Sequence, residues 1–428
     1  MKRNLFLLGN GGRESALCYK LNRDRALIYS YDPNPTIAGY SIRSPEFSKE
    51  SFYSDLSKFV EEKDIQMVVI GPEKYLDEGA TDFLESKGIK VFGPSKEAAK
   101  IETDKSFAKE LMKKYNVPTA RYEISESLER SMELKRFFNF PFVMKVSGLA
   151  SGKGALIIKN DDDFEKALDD IYKKNIFKDA AKRVVFEEFL YGDEVSLFIL
   201  TDGKKFLLLP PAQDHKKVFD NDEGPNTGGM GSYAPCNLLK DKLIDKSVEK
   251  IVEPILYALR KEGKPFKGLL YAGLMVNDDE IFVVEFNSRF GDPETQSIIP
   301  LIDSSLYDIM VEISYGDLKT QNLKINHFHS TTVVLAAKGY PSDYKKGIRF
   351  KIEENIFDQN TILFHASSKE IANNLYENTG GRILNLTSFD TSLEKSINRV
   401  YSNIEKLKIE DTFYRHDIGK KGILYEKI

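Results

Sequence analysis

An α/β protein with additional α+β units is the fold class the sequence predicts, and three observations predict it. Short apolar runs at residues 5–8, 27–31, 67–70 and 91–92 alternate with amphipathic stretches such as 13–21 and 55–62, the pattern of a parallel sheet with helices on its faces. From residue 105 this alternation gives way to shorter strands around a glycine-rich loop, 147–154, and then to long strands at 194–200, 206–209, 269–275 and 281–286. The chain has 428 residues, which at about 150 per domain makes roughly three units.

Taken in order, the loops after the first strands are Gly9 to Glu14, Asp32 to Pro35, Gly71 to Glu73 and Gly93 to Ser95, where a parallel sheet places its functional loops. A helix over 105–115 stops before Val117-Pro118, because the residue preceding proline disfavours helix. Strands are expected at 140–146, 155–158 and 183–189. Between the last two lies a helix that Asp161 to Asp163 can cap, with Phe164, Ala167, Leu168 and Ile171 at helical spacing. The long strands then surround a polar loop, 213–233, and a helix near 245–261. A loop of about 20 residues inside a compact domain is uncommon unless it is functional. Strand-like 331–336 opens a C-terminal piece that ends in Arg415-His416-Asp417-Ile418-Gly419.

Composition excludes several classes. A chain with 41% hydrophobic and 30% charged residues, including 28 Phe and 21 Tyr, is globular rather than disordered. Its 62 Lys+Arg against 66 Asp+Glu lack the basic excess of a non-specific nucleic-acid binder, so no nucleic-acid partner is expected. Cys18 and Cys236 form neither a disulfide framework nor a zinc site. The apolar runs are too short for a signal-peptide core of about 7–15 residues or a membrane helix of about 20. A cytoplasmic protein without a membrane partner is the expectation.

Gly9-Asn10-Gly11-Gly12-Arg13-Glu14 follows a strand and opens a helix, so its backbone donors suit a phosphate or another polar metabolite group. Glu14 stands where a dinucleotide fingerprint needs its third glycine, which argues against NAD. The stretch from Lys145 to Gly154 fails the Walker A spacing but offers backbone donors and lysines to phosphates. Glu187, Glu188, Leu190 and Glu194 lie at a strand end and the start of the next strand. Backbone there can meet an adenine edge, and a carboxylate can accept from ribose hydroxyls. In 283–294, period two puts Glu285 and Asn287 on one strand face, two oxygen donors for a hard cation, with Arg289 able to clamp a carboxylate or phosphate. His327 and His329 share an expected strand face without a third ligand, and GxSxG and HExxH are absent, which removes the usual hydrolase anchors.

The ordered set GNGGRE (9–14), GPE (71–73), GLASGKG (148–154), EEFLYGDE (187–194), QDHKK (213–217), GPNTGGMG (224–231) and EFNSRFGDPE (285–294) resembles the phosphoribosylamine–glycine ligase family of ATP-grasp enzymes, through to RHDIG (415–419). The resemblance implies an N-terminal pre-ATP-grasp domain (1–103), an ATP-grasp domain (104–326, small lobe about 120–191) and a small C-terminal domain (327–428). It implies the small-molecule substrates ATP, glycine and 5-phosphoribosylamine, with Mg²⁺ or Mn²⁺, in a monomer or weak dimer. Lys105, Lys145, Gly152, Lys153 and Gly154 would hold phosphates; Glu187, Glu188, Leu190 and Glu194 would hold adenosine. Glu285 and Asn287 would carry the metal, and Lys145, Arg289 and Asp292 would be catalytic. Gly11, Gly12, Arg13 and Glu73 would meet phosphoribosylamine. Asp214, Lys216, Asn226, Thr227, Gly228, Gly229, Arg289, Asp292 and Glu294 would complete the substrate site. Ser15 replaces the family's usual His and Ser147 its usual acid. Another ATP-grasp carboxylate–amine ligase, or a nucleotide-binding protein without turnover, remains an alternative at this level.

Overall fold

Period-two burial on both sides of the first strand sets the N-terminal unit. In β1 (Asn4–Leu8), Leu5 and Leu7 enter one apolar cluster while Phe6 and Leu8 enter another. With both faces covered, the strand reads as an unbroken apolar run. The computed structural model, which describes residues 2–150, 154–353 and 355–426, gives a five-stranded sheet in the order β3-β2-β1-β4-β5. Its other strands are β2 (Leu27–Ser30), β3 (Ser41–Arg43), β4 (Met67–Ile70) and β5 (Val91–Phe92), and all pair in parallel. β3 was not expected: three half-exposed residues leave no apolar signature.

The small lobe is an antiparallel sheet, β6-β9-β7-β8, of β6 (Tyr122–Ser125), β7 (Phe142–Val146), β8 (Ala155–Ile158) and β9 (Val184–Glu188). Phe142, Met144, Val146, Val184 and Phe186 pack one face against the helix Asp161–Leu168. Val143 pairs with Glu187 and Lys145 with Val185, so these four side chains share the opposite face. The helix is capped by Asn160, whose side chain accepts from Asp163 N, rather than by the aspartates that follow it.

The large lobe, β11-β10-β16-β17, comprises β10 (Asp193–Thr201), β11 (Phe206–Leu208), β16 (Gly268–Asn277) and β17 (Glu280–Asn287). The expected polar loop 213–233 is largely strand instead: β12 (Gln213–Asp214), β13 (Lys217–Phe219), β14 (Glu223–Asn226) and β15 (Gly231–Ala234). Strands this short and polar carry no alternation to read. β12 and β15 extend a sheet, β12-β15-β18-β23-β20, built mainly from later strands. These are β18 (His329–Ala337), β20 (Thr361–His365) and β23 (Arg382–Asp390), with β24 (Thr412–Phe413) on β18; β19 (Arg349–Lys351), β21 (Ser368–Ala372) and β22 (Leu375–Asn378) form a separate sheet. Among the described residues no helix is long and apolar enough to cross a membrane.

One cluster joins the N-terminal unit, the large lobe and the C-terminal sheet: Leu5 and Met67, Phe198 and Tyr271, and Phe364 belong to the same core, while the small lobe has a core of its own. Ser15 seals this junction, donating to His365 O at 2.7 Å, while Asn34 Nδ2 donates to the same carbonyl at 3.0 Å. Ser15 is therefore a buried packing contact and not a group facing a cleft. Ser147 likewise has partners: its hydroxyl is 2.6 Å from Asp104 Oδ1 and accepts from Ser106 N at 2.9 Å.

Burial pushes the His365 imidazole down from 6.5 to about 4. The unfolded chain then binds the proton more readily, so stability is intact above about pH 6.5 and falls as pH drops from there towards 4. Between pH 6.5 and 5 this one group should remove ~2 kcal/mol, at 1.36 kcal/mol per unit. Denaturant melts of wild type and His365→Asn should show a shallower loss in the variant; parallel curves would refute the assignment.

Candidate active site

The cleft-facing side of the small lobe carries two charges side by side. Lys145 Nζ lies 3.0 Å from Glu187 Oε2 and donates to Val284 O at 3.0 Å. Lys109, on the helix Lys105–Lys114, reaches the same Glu187 oxygen at 3.1 Å, and burial lowers its ammonium to about 8. Glu187 Oε1 is buried with no hydrogen-bond partner among the described residues. Lys105 lies at the helix start, its Nζ donating to Gly148 O at 3.3 Å, and burial lowers its pKa. Glu188 Oε1 accepts from Arg121 N at 2.9 Å, and half-buried Leu190 follows in the connection to β10. Gly154 closes the loop, its O accepting from Val146 N at 2.9 Å, whereas Gly152 and Lys153 lie outside the described residues.

Across the cleft, β17 pairs Gly273 with Glu285 and Leu274 with Val283, leaving Val284 as the extra residue of a β-bulge. A bulge changes the side to which following side chains point. Val283 and Phe286 face the core, so Glu285 and Asn287 share the other side. The carbonyl that Lys145 holds is that of the bulge residue. Burial alone would raise the Glu285 carboxyl, yet Lys216, Lys145, Lys105 and Arg289 hold it below its usual range. One ionised carboxylate and one amide fit Mg²⁺ or Mn²⁺ shared with phosphates, since such ions take one or two protein ligands and keep the rest for substrate and water. No group of three or more His, Cys, Asp or Glu suited to a metal occurs among the described residues.

The end of β17 turns into a web of charges. Arg289 Nε donates to Glu73 Oε2 at 3.1 Å, its Nη2 pairs with Glu102 Oε1 at 2.9 Å, and its Nη1 donates to Phe290 O at 3.3 Å. Three of its five N–H groups are thus engaged within the protein. Burial works against its charge, but Glu102 and Glu73 raise the guanidinium pKa; Arg289 and Arg13 in turn lower the Glu73 carboxyl against its burial. The expected phosphate donors at the first helix, Gly12–Arg23, already have partners: Gly11 N donates to Glu14 Oε2 at 2.7 Å and Arg13 N to Asp292 Oδ2 at 3.4 Å. Asp292 also accepts from Gln296 Nε2 at 2.9 Å and faces Arg382 Nη2 at 3.5 Å; Arg382 and Arg13 lower its pKa against burial. Gly12 packs too closely for a side chain, as a Cβ would lie 2.3 Å from Asn385 Nδ2.

Glu294 is buried and accepts from Tyr271 OH at 2.8 Å. Asp214 lies near it: burial and then Glu294 push its carboxyl well up, and its Oδ1 has no partner among the described residues. Lys216 Nζ donates to Glu194 Oε2 at 2.5 Å, joining a residue expected at substrate to one expected at adenosine. The glycine-rich segment is tied down by Thr227, whose Oγ1 donates to Lys216 O at 2.9 Å and accepts from Gly229 N at 3.0 Å; Asn226 pairs with Lys217. Gly229 has φ +109° and no room for a Cβ, which would lie 2.4 Å from Pro293 Cδ. His327 precedes β18, so it shares no strand with His329, which faces Glu426 at 3.7 Å.

Residues 3–102, 103–295 and 330–421 match the models of the N domain, the ATP-grasp (A) domain and the C domain of phosphoribosylglycinamide synthetase. The chain belongs to the phosphoribosylglycinamide synthetase family. The phosphoribosylamine–glycine ligase of Leptospira interrogans is 37% identical over 426 residues, covering 99% of this chain and 100% of that one. A bifunctional purine biosynthetic protein of Dictyostelium discoideum is 38% identical over 452 residues, covering 99% of this chain and 55% of its own length. The crystal structure of the phosphoribosylamine–glycine ligase from Thermotoga maritima aligns with a TM-score of 0.83 at 33% identity, covering 97% and 100%.

This member of the synthetase family also has site residues that sequence reasoning missed. Lys109 and Glu102 sit in ordinary amphipathic helices. Arg382 opens β23 in the C domain and donates to Gly228 O at 2.6 Å and Asp292 O at 2.8 Å. One guanidinium therefore clamps the glycine-rich segment to the Asp292 turn. The only signal was the Gly380-Gly381-Arg382 turn itself, with nothing in sequence to say where it docks. Arg382→Lys replaces the planar fork by a point donor. It should raise glycine KM or lower kcat on the order of tenfold or more while ADP affinity stays within twofold, comparable to losing a charge-assisted hydrogen bond. Wild-type glycine kinetics would contradict the clamp.

Proposed function

We propose that the cleft joins glycine to 5-phosphoribosylamine at the expense of ATP, giving glycinamide ribonucleotide, ADP and phosphate in de novo purine biosynthesis. The observation that carries the reading is Glu285 and Asn287 presented beside Lys105, Lys145 and Lys216 at the inter-lobe bulge, in a domain of ATP-grasp type. Phosphoryl transfer of this kind is served by positioning and charge neutralisation and needs no protein nucleophile.

In this reading a glycine carboxylate oxygen attacks the γ-phosphorus of ATP, the β–γ bridge breaks towards ADP, and glycyl phosphate forms. The amine of phosphoribosylamine attacks the acyl carbon, loses a proton and expels phosphate. Lys145 and Lys105 neutralise phosphate oxygens, and Glu187, Glu188, Leu190 and Glu194 receive adenosine. Mg²⁺ or Mn²⁺ on Glu285 and Asn287 supplies charge neutralisation for the polyphosphate when bound. The two N–H groups that Arg289 has to spare steady the glycine carboxylate. Its ammonium suits Asp214, a buried carboxyl whose unpaired oxygen a cation would draw back to the ionised form. The amine-bearing sugar phosphate enters beside Gly11–Arg13, Glu73 and Asp292, where the loop Asn226 to Gly229 and Arg382 border it. Lys105, whose Nζ donates to Gly148 O, borders the phosphates, and a site closed to water protects the acyl phosphate from hydrolysis. The units run 1–103, 104–326 and 327–428 in this reading, in a cytoplasmic monomer or weak dimer.

An ADP-release assay across amino acids, with and without freshly generated phosphoribosylamine, tests it. Turnover should require glycine and the amine together; ADP release with another acid–amine pair alone would favour a different ATP-grasp ligase. Glu285→Gln keeps shape and removes charge, and should lower kcat on the order of 100-fold at limiting Mg²⁺, the scale of losing one electrostatic stabiliser. Unchanged kinetics would remove Glu285 from the metal site.

A further inference from the structure

We propose that Lys109 is a positioning residue for the nucleobase: by sharing one oxygen of Glu187 with Lys145, it turns the other towards an exocyclic amine and so favours adenine over guanine. This rests on ATP occupying the cleft as read above. Two ammonium groups beside one carboxylate have four lone-pair directions to choose from, and nothing in simple ion pairing makes both take the same oxygen. Here both do, at 3.1 and 3.0 Å, and Oε1 is left buried without a partner among the described residues. A buried acceptor left unsatisfied is costly unless a ligand supplies the donor.

The face on which Glu187 lies is the one where the small lobe meets the large lobe, and in the proposed reading the nucleobase supplies that donor. β7 and β9 turn their phenylalanines to the lobe's core, and Val143, Lys145, Val185 and Glu187 to the opposite face, where Lys109 and the Val284 carbonyl of the large lobe meet them. An adenine edge presents an N–H₂ group where guanine presents a carbonyl oxygen, and a carboxylate oxygen attracts the first and repels the second. Lys109 is itself held in place: its Nζ donates to Thr119 Oγ1 at 2.6 Å, and Thr119 donates to Val283 O at 2.7 Å. Val283 N returns a bond to Pro118 O at 2.8 Å. The ammonium is thus anchored to the strand that carries Glu285, one residue before the bulge carbonyl that Lys145 holds.

A merely structural ion pair would tie the lobes together and, when lost, would affect every substrate and the melting temperature alike. A positioning role affects base choice. The test measures ADP and GDP binding by titration calorimetry on the full chain without glycine or phosphoribosylamine, together with glycine KM at saturating ATP. Lys109→Met should weaken ADP about tenfold, leave GDP within twofold and leave glycine KM unchanged, the scale of one misplaced charge-assisted hydrogen bond. Thr119→Val, a near-isosteric change that frees the Lys109 ammonium, should shift the ADP:GDP ratio in the same direction by about threefold, and carries the test if Lys109→Met does not fold. Equal losses for both nucleotides, an unchanged ratio or a raised glycine KM would overturn the proposal. A wild type that binds no ADP would overturn the ATP reading itself, whereas a wild type that prefers ADP with a variant that keeps the preference overturns only the role of Lys109.

Discussion

Ion pairs that cross unit boundaries are the interaction on which this molecule depends. Arg289 belongs to the ATP-grasp unit, but its carboxylate partners Glu73 and Glu102 come from the N-terminal unit. Asp292 is faced by Arg382 from the C-terminal unit and by Arg13 from the N-terminal one. Uncompensated buried charge costs several kcal/mol, so no unit can present these groups by itself. The units are therefore fastened by an apolar core running through all of them, and the charges are placed at the seams of that core. Such pairs are weak evidence for stability and good evidence for placement.

The bulge in β17 is the second device. A regular strand would keep Ile281, Val283 and Glu285 on one face; the extra residue Val284 lets Val283 and Phe286 stay in the core while Glu285 and Asn287 face the cleft. Lys145 holds the bulge carbonyl and Thr119 the one before it, so the sides proposed for nucleotide and for cation are linked by a single residue step. Distortion of the strand and recognition across the cleft have the same structural cause.

Much of this was legible in the sequence because it rests on short-range periodicity. Parallel strands covered on both faces read as apolar runs, and the alternation around Glu285 and Asn287 put both on one side. What sequence could not supply were partners that meet only in three dimensions. Lys109 and Glu102 look like any polar residue of an amphipathic helix, and Arg382 lies 90 residues beyond the aspartate it faces. Segment 213–233 read as a loop because its strands are two to four residues long, and one of them, β15, pairs with β18 almost a hundred residues later. The first-helix donors read as an open phosphate site, although Glu14, three residues on, caps one of them locally; that Asp292 takes another is visible only in three dimensions.

In the proposed reaction the glycine carboxylate itself takes the phosphoryl group, without a protein nucleophile, in a cleft whose charges are already balanced. Turnover with glycine labelled by ¹⁸O in both carboxylate oxygens tests this most directly, with the released phosphate read by mass spectrometry or ³¹P NMR. One labelled oxygen should appear in phosphate for each amide formed, because the bridging oxygen of glycyl phosphate leaves with phosphorus. Phosphate free of label, alongside product formed at the normal rate, would contradict it.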